Sequence, residues 1–269
     1  MKFWKYQGAG NDFVMLDQRE YTWIHRNDTE KIARICNRRF GVGADGLILL
    51  QPHANLDFEM VYFNADGRES SMCGNGGRCI AAFAQHLGVV QGQCHFWAID
   101  GAHEAIITPK SADASWVELK MMDVKTVEKQ DNAFVLNTGS PHYVRFVDSL
   151  ENLDMVAQGR AVRYSELWRT NGINVNLVSP SPSGKGYDIR TYERGVEDET
   201  LACGTGVTAA AIASFIQNGS ALGEYEIPLK ALGGDLAVRF EAKAGGEFSN
   251  VWLCGPAERV FEGKIETIL

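Results

Sequence analysis

Short apolar runs broken by polar, glycine-rich segments dominate the chain, and most of them are of strand length. Strands are expected near residues 2–7, 12–17, 46–51 and 57–63, then near 93–99, 104–108 and 115–121. The imperfect alternation in Asp57-Phe-Glu-Met-Val-Tyr-Phe63 predicts a strand covered on both faces. A helix is expected over 28–39, with Asp28 as its N-cap and Ile32, Ile35 and Cys36 on one face. Another is expected over 74–87. After a polar run, Lys125–Asn132, the plan starts again, with strands near 133–138, 142–148, 172–178 and 186–192, a helix over 204–217, and strands to the end. The helices at 74 and 204 both close on glycine, Gly88 and Gly219, as helix C-termini prefer. Many strands, few helices and short turns predict a mixed α/β fold with largely antiparallel pairing.

Two segments mark the centre of an internal repeat. Met72-Cys-Gly-Asn-Gly-Gly-Arg78 and Ala202-Cys-Gly-Thr-Gly-Val207 each place a cysteine before a glycine turn that opens a helix. Upstream, Gly10-Asn-Asp-Phe-Val14 matches Ser140-Pro-His-Tyr-Val144, and Asp12 to Cys73 spans 61 residues, as does His142 to Cys203. The chain therefore reads as two halves on one plan, joined within 121–132.

Composition narrows the function. Of 269 residues, 45% are hydrophobic and 22% charged, as in a globular protein with a sizeable core. The net charge of −8 argues against nucleic acid as a partner, because phosphate binding needs a basic face. No apolar run reaches membrane-spanning length, and the N-terminal residues read as a strand instead of a signal peptide, so a cytoplasmic protein is expected. Gly41-Val-Gly-Ala-Asp-Gly46 has dinucleotide-motif spacing, but a helix precedes it and a strand follows, so it is a turn. Of six cysteines, none has the Cys-x-x-Cys spacing of a zinc site, and no metal is expected. Cys36, Cys94 and Cys254 lie in helix- or strand-like runs and read as buried hydrophobes.

Cys73 and Cys203 read differently. At a helix N-terminus, unpaired backbone N–H groups and the helix dipole favour negative charge and lower a thiol pKa from about 8.5 toward neutrality. The adjoining glycine turns expose donors that can hold a carboxylate. Two such groups facing one carbon suit the inversion of a stereocentre: one thiolate removes the Cα proton and the opposite thiol returns one to the other face. Two other readings fit the residues less well. A redox dithiol leaves the carboxylate-shaped turns unexplained, and a carboxylate-binding protein leaves the repeated cysteine unexplained.

The motifs Gly8-Ala-Gly-Asn-Asp-Phe13, Asn64-Ala-Asp-Gly67, Met72–Cys79, Glu193-Arg-Gly195 and Glu199–Gly206 resemble the diaminopimelate epimerase family, from residue 3 to the end. The resemblance implies a cofactor-independent isomerase that converts LL-2,6-diaminopimelate to the meso form in lysine and cell-wall precursor synthesis. It implies two pseudo-symmetric domains, each a curved sheet around a central helix, with the active site in the cleft between them. The domains would be 1–121 with 259–269, and 122–258, and a homodimer is consistent with the family. Cys73 and Cys203 would be the acid–base pair, tuned by His142 and Glu193. Gly74, Asn75, Gly204 and Thr205 would hold the reacting carboxylate. Asn11, Asn64, Asn174, Glu193 and Arg194 would read the amino and carboxyl groups, chiefly at the distal centre. This chain departs from the common pattern in two places: Ser140 stands where many members have Asn, and Gly195–Thr200 is one residue longer. Relatives of similar fold racemise other amino acids, so a histidine racemase is the alternative substrate reading.

Overall fold

The computed structural model describes residues 1–266; the last three residues of the segment 259–269, expected in the first domain, lie outside them. The chain forms two compact units, Met1–Leu119 with the segment from Gly255 onward, and Lys120–Cys254.

The first unit runs β1 (Lys2–Gly8), β2 (Asn11–Asp17), α1 (Thr29–Cys36), β3 (Gly46–Gln51), β4 (Phe58–Asn64), α2 (Gly74–His86), β5 (Gln93–Ala98), β6 (Gly101–Pro109) and β7 (Ala114–Lys120). The second runs β8 (Val127–Gln130), β9 (Ala133–Asn137), β10 (Pro141–Phe146), α3 (Met155–Arg163), β11 (Asn174–Pro180), β12 (Tyr187–Glu193), β13 (Asp198–Thr200), α4 (Gly204–Gln217), β14 (Gly223–Ala231) and β15 (Gly234–Ala242). The long β16 (Phe248–Lys264) passes through both units.

Strand pairing repeats in full. In the first unit β1–β2 is antiparallel, β2–β3 parallel, β3–β4 antiparallel, β4–β5 parallel, and β5–β6 and β6–β7 antiparallel. In the second unit β9–β10, β10–β11, β11–β12, β12–β14, β14–β15 and β15–β16 follow the same series of directions. The C-terminal half of β16 pairs with both β7 and β1 and closes the first unit's sheet into a ring. In the second unit β8 extends the sheet beyond β9, and the bridge Val124↔Phe248 connects its other end.

Helix burial follows from this wrapping. α4 carries no charged residue and is buried from Gly204 to Phe215 except Thr205, while α2 is buried from Gly74 to Ala84. Each is therefore a central helix inside its own sheet. Outside, α1 covers one face of the first unit: Ile32, Ile35 and Cys36 pack with Val14, Leu16, Leu47, Leu49, Val61 and Phe63. Alternate residues turn inward, so β4 is covered on both faces, as its pattern predicts. α3 does the same in the second unit, where Met155 packs with Val175, Leu177 and Tyr192.

The structure revises three expectations. The second half has its own outer helix, α3, with Asp154 accepting from the Ala157 N–H at 2.9 Å; its apolar stripe is too short to stand out in sequence. The polar run 125–132 contains strand β8, an edge strand whose ladder to β9 needs no apolar alternation. Finally, the equal 61-residue offset pairs His142 with the wrong residue. Phe13 lies level with Gly46, and Gly46 with Asn64; His142 lies level with Asn174, one rung from Val175↔Tyr192 and so opposite Glu193. His142 thus takes the place of Phe13, not Asp12. The stretch from Glu193 to Cys203 is one residue longer than that from Asn64 to Cys73, which conceals the shift. No helix among the described residues is long and apolar enough to cross a membrane.

Candidate active site

Cys73 and Cys203 occupy the same place in the two units: each is the N-cap of the central helix, in extended conformation. Their surroundings differ. The Cys73 sulfur accepts from the Gly76 N–H at 3.2 Å and donates to Asn11 Oδ1 at 3.7 Å. Asn11 is held in turn by Asp45, to whose Oδ2 its amide donates at 2.6 Å. Asp45 lies in the glycine turn 41–46 between α1 and β3, so that turn supports Asn11. Arg38 bridges Asp45 and Asp12, and Lys5 also pairs with Asp12 at 2.7 Å. Burial opposes the charge on Asp12, but hydrogen bonds from Arg38 and Lys5 prevail and hold its carboxyl far below the usual range.

The Cys203 sulfur accepts no backbone N–H as a cap. It lies 3.4 Å from Thr205 Oγ1 and hydrogen-bonds to the Glu193 carboxylate. Burial raises the Glu193 carboxyl above its ordinary value, while hydrogen bonds from Thr200 and Cys203 restrain the rise. Thr205 Oγ1 is 2.9 Å from His142 Nε2, and His142 Nδ1 is 3.0 Å from Asn176 Nδ2. His142 is fully buried; desolvation, with the Arg194 charge adding to it, lowers its pKa to about 3 and keeps the ring neutral.

Each sulfur therefore has an acceptor beside it, Asn11 Oδ1 for Cys73 and Glu193 for Cys203, and a group able to donate, the Gly76 N–H for Cys73 and the Thr205 hydroxyl for Cys203. A thiol can use the acceptor and a thiolate the donor, so both protonation states are satisfied without rearrangement.

The other expected residues fall into two groups. Around Cys203 they are joined: Asn174 Nδ2 donates to Ser140 Oγ at 2.9 Å and to the Pro141 carbonyl at 3.2 Å, and its Oδ1 accepts the Arg194 N–H at 2.8 Å. Ser140 also accepts from the Arg194 guanidinium at 3.3 Å, so its short hydroxyl ties Asn174 and Arg194 together. Gly204 opens α4, and the Thr205 carbonyl is fixed by Thr138 at 2.8 Å. Near Cys73 the grouping is looser. Asn75 is buried and accepts from Arg78 at 2.8 Å, beside Gly74, whose carbonyl also accepts from Arg78. Asn64 is exposed at the end of β4, and its backbone closes the turn to Gly67 and Arg68. The longer segment after Glu193 is ordered by Glu197, which accepts from Tyr164, Tyr192 and Arg163.

Three contributors escape the sequence reading: Asp45, Asn176 and Thr191, whose hydroxyl donates to Asn176 Oδ1 at 3.0 Å. The spacing of Asn174 and Asn176 was the available signal, since residues two apart on a strand share a face. The remaining cysteines are inert hydrophobes by position: burial pushes Cys36 and Cys94 up to about 12 and Cys79 higher still, and Cys254 is also buried.

Gly206 offers a test of the cage. In an ordinary helix, Gly→Ala stabilises by up to about 1 kcal/mol. Here a Cβ would overlap Asn176 Oδ1 and approach His142 Cε1 to 3.3 Å. Gly206→Ala is expected to destabilise by about 1–3 kcal/mol and to impair activity, measurable by denaturant unfolding and steady-state kinetics. A stabilised, fully active variant would show that the cage is loose.

The fold is shared with a phenazine biosynthesis protein of the PhzF family from Bacillus anthracis, at a TM-score of 0.74 with 13% identity, covering 99% of each chain. Sequence is more specific. The diaminopimelate epimerase of Flavobacterium psychrophilum is 48% identical over 98% of this chain and 100% of that protein. That of a Hydrogenobaculum species is 39% identical over 97% of each. A sequence model of diaminopimelate epimerase matches residues 3–125 and 134–260. The chain belongs to the diaminopimelate epimerase family, and so to the isomerases.

Proposed function

We propose that the chain inverts one Cα of LL-2,6-diaminopimelate to give the meso isomer, with Cys73 and Cys203 as the two acid–base groups. The observation that carries this reading is the donor–acceptor pair at each sulfur, because a residue that alternates between base and acid needs both of its protonation states supported. In one direction a thiolate takes the Cα proton while the opposite thiol protonates the other face; in the reverse direction the roles exchange. The chemistry requires the two sulfurs to address opposite faces of one carbon. The electron pair left at Cα delocalises into the adjacent carboxylate. Backbone N–H groups at Gly74, Asn75, Gly204 and Thr205 would hold that carboxylate, where the first turn of each helix favours negative charge.

Arg194 supplies a guanidinium suited to the distal carboxylate, while Asn11, Asn64, Asn174 and Glu193 supply acceptors for ammonium groups. The chain's own residues supply every proton transfer, with no cofactor or metal. The net charge of −8 favours a small-molecule partner over nucleic acid, and cytoplasmic residence and a homodimer accord with the family. The test is turnover of LL-diaminopimelate under reducing conditions, with the product resolved by chiral chromatography. Meso product is expected. Inversion of histidine or another amino acid in its place would keep the chemistry and overturn the substrate.

A further inference from the structure

We propose that Asn176, backed by Thr191, is a positioning residue for proton transfer at Cys203: it fixes His142 as the Nε2–H tautomer, which leaves the Thr205 hydroxyl to donate to the Cys203 sulfur. The inference rests on the assignment of Cys203 as an acid–base group.

The orientation of the Asn176 amide decides the tautomer. Its Nδ2 donates to the Tyr143 carbonyl at 3.1 Å, and its Oδ1 accepts from Thr191 Oγ1 at 3.0 Å. Both contacts fix the amide with N–H groups on the His142 side, where the second proton meets Nδ1 at 3.0 Å. Nδ1 must therefore offer a lone pair, and a neutral imidazole then carries its hydrogen on Nε2. Nε2–H points to Thr205 Oγ1 at 2.9 Å, and with that lone pair engaged the threonine proton turns to the sulfur 3.4 Å away. Asn174 Nδ2 approaches Nε2 at 3.5 Å, but its two protons are already directed to Ser140 and Pro141, so it does not compete.

The other half of the protein makes the same point by contrast. Rung by rung, the inward positions His142, Asn176 and Thr191 correspond to Phe13, Ile48 and Tyr62. Gly76 and Gly206 confirm the match: a Cβ on the first would meet Ile48, and on the second Asn176. A close-packed interior beneath a glycine-opened helix can thus be built mainly from large apolar side chains at these places. The second unit instead buries His142, Asn176 and Thr191 there, a desolvation that only complete hydrogen bonding offsets. The charged and titratable groups nearest the relay are Glu193 and Cys203 on one side and Arg194 on the other. Donation from Thr205 stabilises the thiolate form of Cys203, while Glu193 accepts the hydrogen bond of the thiol form.

The deciding experiment is ¹⁵N–¹H correlation of the histidine rings in the reduced, substrate-free chain, with His142 assigned by its loss in His142→Gln. Protonated Nε2 and unprotonated Nδ1 are expected, unchanged from pH 6 to 9. Asn176→Leu should give a tautomer mixture and at least a tenfold lower kcat with little change in KM. Thr191→Val, the gentler change, should move both in the same direction. In a Thr205→Val background the Asn176→Leu substitution should add no further loss, because the relay it serves is already cut. A wild-type ring protonated on Nδ1 overturns the inference, as does a folded Asn176→Leu with unchanged tautomer and kcat. The ring measurement needs no substrate, so it stands or falls separately from the choice of diaminopimelate.

Discussion

Cys73→Ala and Cys203→Ala will each lower kcat by about 10²–10⁴-fold or more, since each removes a group that must act as acid in one direction and base in the other. The structure predicts different stability effects for the two. Cys73 caps α2 by accepting the Gly76 N–H, so its loss should cost up to about 1 kcal/mol, whereas Cys203 makes no such cap and its loss should cost less. Cys73→Ser separates the two roles. A serine oxygen is a better N-cap than sulfur, yet it is too weak an acid to alternate near neutral pH. That variant should melt at or above the wild-type temperature and remain inactive. Steady-state assays and thermal unfolding on the same samples check the prediction, and normal turnover by any of the three folded variants would remove the two-thiol mechanism.

Glu193→Gln should trade activity for stability. The carboxylate accepts from Cys203 and Thr200, and a neutral amide in its place accepts a thiol proton weakly, so a loss of roughly 10²-fold in kcat/KM is expected. The sign for stability follows from burial. Because desolvation raises the folded-state carboxyl above its ordinary 4.5, the unfolded chain releases this proton first as pH rises. The stability Glu193 contributes is thus complete below that ordinary value and diminishes as pH rises through the raised one. Glutamine removes the penalty, so the variant should be more stable than wild type at pH 7–8, with the advantage vanishing below about pH 4. Denaturant midpoints across this range measure it. A variant less stable at pH 8 than wild type would show that the charged carboxylate holds the fold together.

What the sequence disclosed followed the range of the interactions. Helix ends and glycine turns are set by a few neighbouring residues, so both cysteine N-caps and the helix closures at Gly88 and Gly219, each with positive φ, were legible. The repeat was legible too, because both halves kept the same cysteine–glycine wording. Residues joined only by strand pairing were not. Asn176 reaches His142 across 34 positions, and Asp45 reaches Asn11 across another 34. Nothing in the local sequence around Thr191 distinguishes it from any inward-facing strand residue. The one-residue error in matching His142 shows the same limit: spacing counts residues, whereas the sheet counts rungs. β8 and α3 were missed because an edge strand and a helix with a narrow buried stripe lack the periodic apolar signal on which such readings depend.

The central claim, inversion by two separate thiols, is tested most directly by running the reaction in deuterated water and sampling its first few per cent. With two bases, the proton taken from one face and the one given to the other belong to different sulfurs. The product should then carry one solvent deuterium at the inverted Cα, while recovered LL-diaminopimelate remains unlabelled. Deuterium entering recovered substrate as fast as product, or product formed with its original hydrogen, would mean that a single group serves both faces.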